Sequence, residues 1–403
     1  MEPSVIATEI AAEPGALTSL DSASCDLLRA AAGRRTEDSN RRIKELASKT
    51  GDWELLIKHA DAHGVLPLLF TRLSEARATV PAEAQQRLKA DYDRNTFHSL
   101  ANAAELIKLL DAFNRQGIPA MPFKGVVLAA SVYGDLAARS AGDLDLLIHY
   151  SDLERAMAVM LENGYQLNTT IREDGSPEVP HFHSHEHRFE RQADGMVAEL
   201  RWRLDLQLGQ ARFTRNLGLN WVWPRRTTAI LAGAEIPNID AERLLLLLCM
   251  HGSKHVWERL LWICDVAQLI ELERGINWNV AIREANRTGL WRSLALGALL
   301  ANRVAGAHVP NDVLNRFASH SGSDRLATHI NEHLFDTRGR IPEGLVPYSI
   351  RLLGYRDRIL SILTLNFLRP NARDFAVIHL PKSLRALYWI VRPFRILGDR
   401  SAR

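Results

Sequence analysis

Two carboxylates, Asp143 and Asp145, stand two residues apart in the run Gly142-Asp143-Leu144-Asp145-Leu146-Leu147-Ile148. The alternation reads as a β-strand over 143–149, in which residues i and i+2 point to one face. Their Cα atoms would then lie roughly 6.5–7 Å apart. Acids so spaced can share a divalent cation, or hold two such ions about 4 Å apart, the arrangement that stabilises charge while a phosphoryl bond breaks. The strand is otherwise apolar and is expected near the centre of a sheet, where two ionised acids need cations or donors beside them. The plainer account is a strand entering from a loop with both acids solvated.

A third acid, Glu199, sits mid-strand between Ala198 and Leu200. If its strand lies beside 143–149, three carboxylates converge, and one can also serve as base toward an acceptor hydroxyl. The alternative is an edge strand with a solvent-facing Glu. Lys124-Gly125 follows a short expected strand, Ile118–Phe123, and opens a helix through Val132. A glycine there lets backbone approach a phosphate at a helix N-terminus. Neither the Gly-x-x-x-x-Gly-Lys-Ser/Thr loop nor a dinucleotide fingerprint is present.

Further cationic and imidazole groups follow. His251, Lys254, His255 and Arg259 fall at i, i+3, i+4 and i+8, next to the wholly apolar Leu244–Met250. A cationic stripe on a buried helix can meet a triphosphate across a cleft; the bland reading is the polar face of an amphipathic helix. His181, His183, His185 and His187 alternate, which on a strand would turn all four to one face beside the cleft. There His185 and His187, with Arg201 and His251, are candidates for an acceptor pocket. A zinc hydrolase built on the tract is a competing reading, although no adjacent Asp-His completes a His-x-His-x-Asp-His pattern. Chance enrichment at a loop–strand junction is the third.

The elements that must position these groups divide the chain into four. Residues 1–20 read as a disordered tail, 21–116 as an N-terminal helical region, 117–235 as a mixed α/β core and 236–403 as a C-terminal helical domain. Ser151-Asp152-Leu153-Glu154 reads as a capping box, opening a helix that buries Leu153, Met157, Met160 and Leu161 and stops at Asn163-Gly164. Two strands, 185–192 and 196–205, flank the turn Ala193-Asp194-Gly195; Ala198, Leu200 and Trp202 share one face, Glu199, Arg201 and Arg203 the other. From Ala241 the pattern is helical to about Ile390.

Composition excludes some classes. The chain has 403 residues, a net charge of +3 and three widely spaced cysteines. That charge gives no case for specific nucleic-acid binding, and the cysteines argue against a disulfide framework. No apolar run reaches the ~20 residues needed to span a bilayer. Residues 1–24 carry no Lys or Arg, so no signal peptide is read and the expected compartment is the cytoplasm. Residues 379–403 interleave Lys382, Arg385, Arg392, Arg395, Arg400 and Arg403 with apolar side chains. They read as a final packed helix or, less simply, as a peripheral membrane contact.

The order Lys124-Gly125, Tyr133-Gly134-Asp135, Arg139, Asp143-x-Asp145, Gly164-Tyr165, Glu199-Leu200-Arg201-Trp202 resembles the uncharacterised bacterial nucleotidyltransferase family of the DNA polymerase β-like superfamily. His251-Gly252-Ser253-Lys254-His255 and Arg259–Ala267 are similar to its helical region, so the likeness spans roughly residues 100–275. It implies an α+β fold: a small mixed β-sheet nucleotidyltransferase core flanked by N-terminal and C-terminal helical regions. It implies transfer of a nucleoside monophosphate from an NTP, ATP by default, to an unidentified acceptor (small molecule, sugar or peptide), with Mg²⁺ or Mn²⁺ as cofactor. Carried over by position, Asp143, Asp145 and Glu199 are the metal ligands and catalytic acids. Gly125 becomes the phosphate-loop glycine, and Lys124, Arg139, Lys254 and His255, singled out by their own charge and spacing, are the expected nucleotide and phosphate contacts beside it. The chain departs from the family pattern in one place. Val126 follows Gly125 where a Ser or Gly is usual, and the Asp pair comes 18 residues after Gly125, later than usual. A hydroxyl contact to the triphosphate is lost, and Lys124 or Arg139 is expected to replace it. The same fold used as a non-catalytic nucleotide- or partner-binding protein is the alternative.

Overall fold

A computed structural model describes residues 19–168, 185–204, 207–208, 211–212, 217–272, 275–319 and 322–336. All but the last two residues of the expected tail, residues 169–184 with His181 and His183, and the expected C-terminal helical stretch from 337 onward, with the basic segment 379–403, lie outside these residues.

Five helices come first: α1 (Ser22–Ala32), α2 (Glu37–Lys49), α3 (Trp53–Ala62), α4 (Leu66–Ala76) and α5 (Ala82–Arg115). Local chemistry sets their ends. Thr36 and Ser39 cap α2 reciprocally, and Asp52 accepts from the Leu55 amide at the start of α3. Strand β1 (Ala120–Pro122) leads through the Lys124-Gly125 turn into the single turn α6 (Gly125–Leu128), which widens into a π-turn over Ala129–Tyr133. Then come β2 (Leu144–Ile148), α7 (Leu153–Glu162), β3 (Gln166–Leu167), β4 (Glu186–Arg191) and β5 (Met196–Arg201). The expected capping box does not form: a 3-10 turn over Tyr150–Asp152 precedes α7, and no side chain caps it. Within α7 the buried stripe is Leu153, Ala156, Val159 and Met160, while Leu161 is exposed.

The main sheet has the order β1-β2-β5-β4-β3. Strand β2 pairs antiparallel with β1 and parallel with β5, and β4 runs antiparallel to both β5 and β3. Every residue of β2 is buried, as its apolar sequence requires of a strand covered on both faces. Pro122 is tolerated because β1 is an edge strand. Two small ribbons follow, β6 (Gln207–Leu208) with β7 (Ala211–Arg212), and, beyond the single turn α8 (Leu219–Val222), β8 (Thr227–Leu231) with β9 (Ala234–Asn238). The described chain closes with α9 (Ala241–Lys254), α10 (Leu260–Ile270), α11 (Trp278–Thr288), α12 (Trp291–Ala305), α13 (Asn311–Ser319) and α14 (Ser323–His333). This is the α+β architecture expected: a small mixed sheet with helical flanks.

Two cores hold it. The back face of the sheet, through Leu144, Leu146, Ile148, Phe189, Ala198 and Leu200, packs with the C-terminal half of α5, with α7 and with β8–β9. The second core joins α1–α4 to α9–α14 and takes in Met121, Phe123 and Leu147 from the front of the sheet. The two helical flanks therefore share one interior. The long α5 bridges both cores, with Ala84 and Leu88 in one and Leu106, Leu109 and Phe113 in the other. Leu244–Met250, apolar all round, is buried all round at the centre of the helical body.

Candidate active site

Parallel pairing of β2 with β5 sets Asp145 level with Glu199 and Leu147 level with Arg201. Partners level across a ladder point to the same face. Asp145 and Glu199, both buried, therefore turn together to the front of the sheet. They line one cavity of about 430 Å³ with Asp143, Lys124, Gly125, Arg139, Ser140, Glu186 and Arg201 from the core, and with His251, Lys254, His255, Glu258, Arg259 and Trp262 from the helical body. The convergence of the three acids, read from sequence, is present in the fold.

The acids are held by cations of the chain itself. Lys124 Nζ lies 3.2 Å from Asp145 Oδ2, and Arg201 Nε donates to Asp145 Oδ1 at 3.0 Å. The remaining guanidinium nitrogens of Arg201 pair with Glu199 and Glu186. Burial lifts the Glu199 carboxyl above the usual carboxylate range; Arg201 opposes the shift, and Asp145, Asp143 and Glu186 add to it. Among the described residues no three His, Cys, Asp or Glu side chains form a group that could hold a metal ion as they stand. The donor set itself, carboxylates only, is the one hard divalent cations take, and the guanidinium spanning Asp145 and Glu199 stands where a cation is needed. Chemically the residues fit Mg²⁺ or Mn²⁺.

The Lys124-Gly125 turn is strained. Lys124 has φ 61° and ψ −154°, a region almost confined to glycine, and Gly125 has φ 48°. A Cβ on Gly125 would lie 3.2 Å from the Asp143 carbonyl oxygen, so the turn presses against the acid-bearing segment. The helix expected through Val132 forms as one α-helical turn that continues as a π-turn to Tyr133.

Arg139, expected as a phosphate contact, lines the cavity with its nitrogens held by partners within the chain. It is buried, and its Nε and Nη2 hold both oxygens of Asp265 on α10 at 2.8 Å. Its Nη1 donates to the Ser140 carbonyl at 2.9 Å and reaches the Gly125 carbonyl at 3.5 Å. Tyr133 also donates to Asp265. Arg139 thus ties the glycine turn to the helical body, with its donors already engaged. Asn102 on α5 donates to the Gly142 carbonyl at 3.1 Å, fixing the entry to β2.

The helical wall also differs from the expected stripe. Helix α9 ends at Lys254; Val256 and Trp257, both with φ 58°, form a sharp turn, and Arg259 precedes α10. Trp257 is buried against Gly252, where a Cβ would meet its ring at 2.5 Å. His251, Lys254, His255 and Arg259 still meet at the cavity, through this turn rather than along one helix. Burial, then Lys124, hold His251 well below its usual range; burial, then Lys254, bring His255 down to about 4. Both are neutral at pH 7 and pack against Trp262 at 5.4 and 5.0 Å between ring centroids. Burial also lowers Lys254, which Glu186 opposes.

His185 and His187 do not reach the cavity. His187 is level with Leu200 and Phe189 with Ala198, on the back face, and the His187 ring lies 5.0 Å from Trp202. The residues of β4 level with Arg201 and Glu199 are Glu186 and Arg188. The slip comes from the turn. A strand running to Gln192 opposite Met196 would set His187 level with Arg201; here the turn also takes in Gln192, and Arg191 faces Met196. Asp265, Glu186 and Asn102 were missed. Asp265 had a signal in the sequence: the one charged residue of the largely apolar Leu260–Ile270, which demands a partner.

Comparison with known proteins adds the family. No curated protein and no solved structure gives a match. No helix among the described residues is long and apolar enough to cross a membrane. The family model described as uncharacterised nucleotidyltransferase matches residues 49–306, which is more than half of the chain and includes β1–β5, the acids and the α9–α10 wall. The chain belongs to that nucleotidyltransferase family.

Proposed function

We propose that this chain transfers a nucleoside monophosphate from an NTP to a hydroxyl-bearing acceptor and releases pyrophosphate, in the manner of the DNA polymerase β-like superfamily. The observation that carries the reading is Asp145 level with Glu199 on neighbouring parallel strands, both turned with Asp143 into one cavity that Lys124, Arg201 and Lys254 also line. Asp143, Asp145 and Glu199 would hold Mg²⁺ or Mn²⁺. When bound, the ions screen the triphosphate and stabilise the charge that develops on the entering and leaving oxygens.

The chain's own groups supply the rest. Lys124 and Lys254 offer ammonium charge to the phosphates from opposite walls. Arg139, locked on Asp265, keeps the Gly125 turn and the Asp143 segment in place while the substrate binds. The acceptor oxygen attacks the α-phosphorus in line, the bond to the β-phosphate oxygen breaks, and Glu199 is the group suited to take the acceptor's proton. Neutral His251 and His255 with Trp262 give the cavity an aromatic side that suits a nucleobase or an acceptor ring.

One observation favours a second reading. Arg201 and Lys124 already neutralise much of the acid charge, as suits a protein that binds a nucleotide without turning it over. Labelled NTP separates the two. Wild type incubated with α-labelled ATP, Mg²⁺ and a pool of candidate acceptors is expected to release pyrophosphate and transfer label, and Asp145→Asn to lose both. Equal pyrophosphate release by the two proteins would defeat the transferase.

A further inference from the structure

Arg201 occupies the electrostatic centre of the acid set. Its guanidinium is shared by three carboxylates, Asp145, Glu199 and Glu186, and its side chain is only 16% exposed. The oxygens of Asp145 and Glu199 all face cations of the chain: Asp145 Oδ1 and Glu199 Oε2 accept from Arg201, Lys124 lies 3.2 Å from Asp145 Oδ2, and Arg188 lies 3.8 Å from Glu199 Oε1. Guanidinium bridging and shared divalent-ion binding therefore compete at the two oxygens that Arg201 holds.

We infer that Arg201 is the resident counter-ion of this site, displaced when a divalent cation binds and taken up by the triphosphate, so that cation and nucleotide binding are coupled through it. The inference rests on the nucleotidyl-transfer reading. Without a ligand, three or four carboxylates crowded at one cavity would repel, and Arg201 with Lys124 holds them together. A cation arriving alone must strip Arg201 of its acceptors and leave a half-buried guanidinium unpaired, which weakens its binding. A triphosphate arriving with the cation accepts from the planar donor fork, and the penalty disappears. Each ligand then raises the affinity for the other by the same factor. Glu186 plays the complementary part: Arg201 is anchored to it on the side away from Asp145, and it is the more exposed of the two glutamates.

Mn²⁺ affinity in the presence and absence of a non-hydrolysable ATP analogue, measured by electron paramagnetic resonance on the full chain, tests this without turnover. In wild type the nucleotide should tighten Mn²⁺ binding by more than its own solution chelation accounts for. Arg201→Gln should bind Mn²⁺ alone about tenfold more tightly than wild type and lose that excess coupling. Arg201→Lys, which keeps the charge but lacks the fork, should fall between the two. Glu186→Gln, at the cavity rim and safe for folding should Arg201→Gln not fold, should also tighten Mn²⁺ alone, because Arg201 is then less firmly anchored. Unchanged or weaker Mn²⁺ binding in Glu186→Gln and in whichever Arg201 variants fold overturns the inference; weaker binding in Glu186→Gln alone makes it a direct ligand and also overturns it. Asp145→Asn separates this failure from that of the wider reading. If Asp145→Asn loses Mn²⁺ while the other variants do not gain it, only the Arg201 exchange falls. If wild type binds no Mn²⁺ with or without nucleotide, both fall.

Discussion

Lys124 joins a strained backbone to an ion pair with one of the buried acids. Its ψ of −154° at φ 61° disfavours any side chain, yet the ammonium that comes with that cost sits 3.2 Å from Asp145. Comparing two variants isolates the backbone contribution. Lys124→Ala and Lys124→Gly both remove the ammonium, but only glycine relieves the dihedral strain. Lys124→Gly is expected to be more stable than Lys124→Ala by about 1–3 kcal/mol in urea unfolding. Equal stabilities would mean that the turn is not strained. Both variants should bind nucleotide more weakly than wild type. At this scale the acids were legible, because the period of 2 along an apolar strand puts Asp143 and Asp145 on one face whatever surrounds them. The strain at Lys124 was not, since nothing in a residue's type announces a backbone angle imposed by neighbouring segments.

The elements meet along seams that polar groups fasten. At one seam the Leu260 amide, at the start of α10, donates to His63 Nδ1 at the end of α3. That bond needs the imidazole unprotonated at Nδ1. Burial, then His59 and Arg259, bring the His63 pKa down to about 4. Its folded value is below its unfolded one, so its contribution is present in full above about pH 6.5 and is lost as the pH falls toward 4. The difference between the two pKa values corresponds to about 3 kcal/mol. Urea unfolding of wild type at pH 7, 5.5 and 4 should lose stability faster than His63→Leu over the same range; parallel curves would remove His63 from the account. A second seam is the Arg139–Asp265 pair, which no local pattern connects because the partners are 126 residues apart. The β4–β5 hairpin makes the same point in reverse. Its two strands were legible from composition, but their register was not. One extra residue in the turn set Glu186 rather than His187 level with Arg201 at the cavity.

Over the whole molecule, the N-terminal and C-terminal helices bury their apolar faces in one interior, and α5 spans from it to the core behind the sheet. Hydrogen exchange followed by mass spectrometry should therefore give α3 and α12 the same limiting opening free energy. A markedly lower value for α3 would make the N-terminal helices a separate unit. The cavity lies where the front of the sheet faces α9 and α10, so its two walls come from segments about 100 residues apart in the chain. The sequence by itself determined the helical and α+β order, the central apolar strand with its acids, the candidacy of Glu199 and the family likeness. These depend on periodicity and local composition, which act over a few residues. Only the tertiary structure decided that Arg139 is a brace, that Arg201 bridges the acids, that Glu186 replaces the histidines and that His251 and His255 stay neutral. Each of these depends on strand register or on burial beside a distant charge, and both are fixed only when the two cores close.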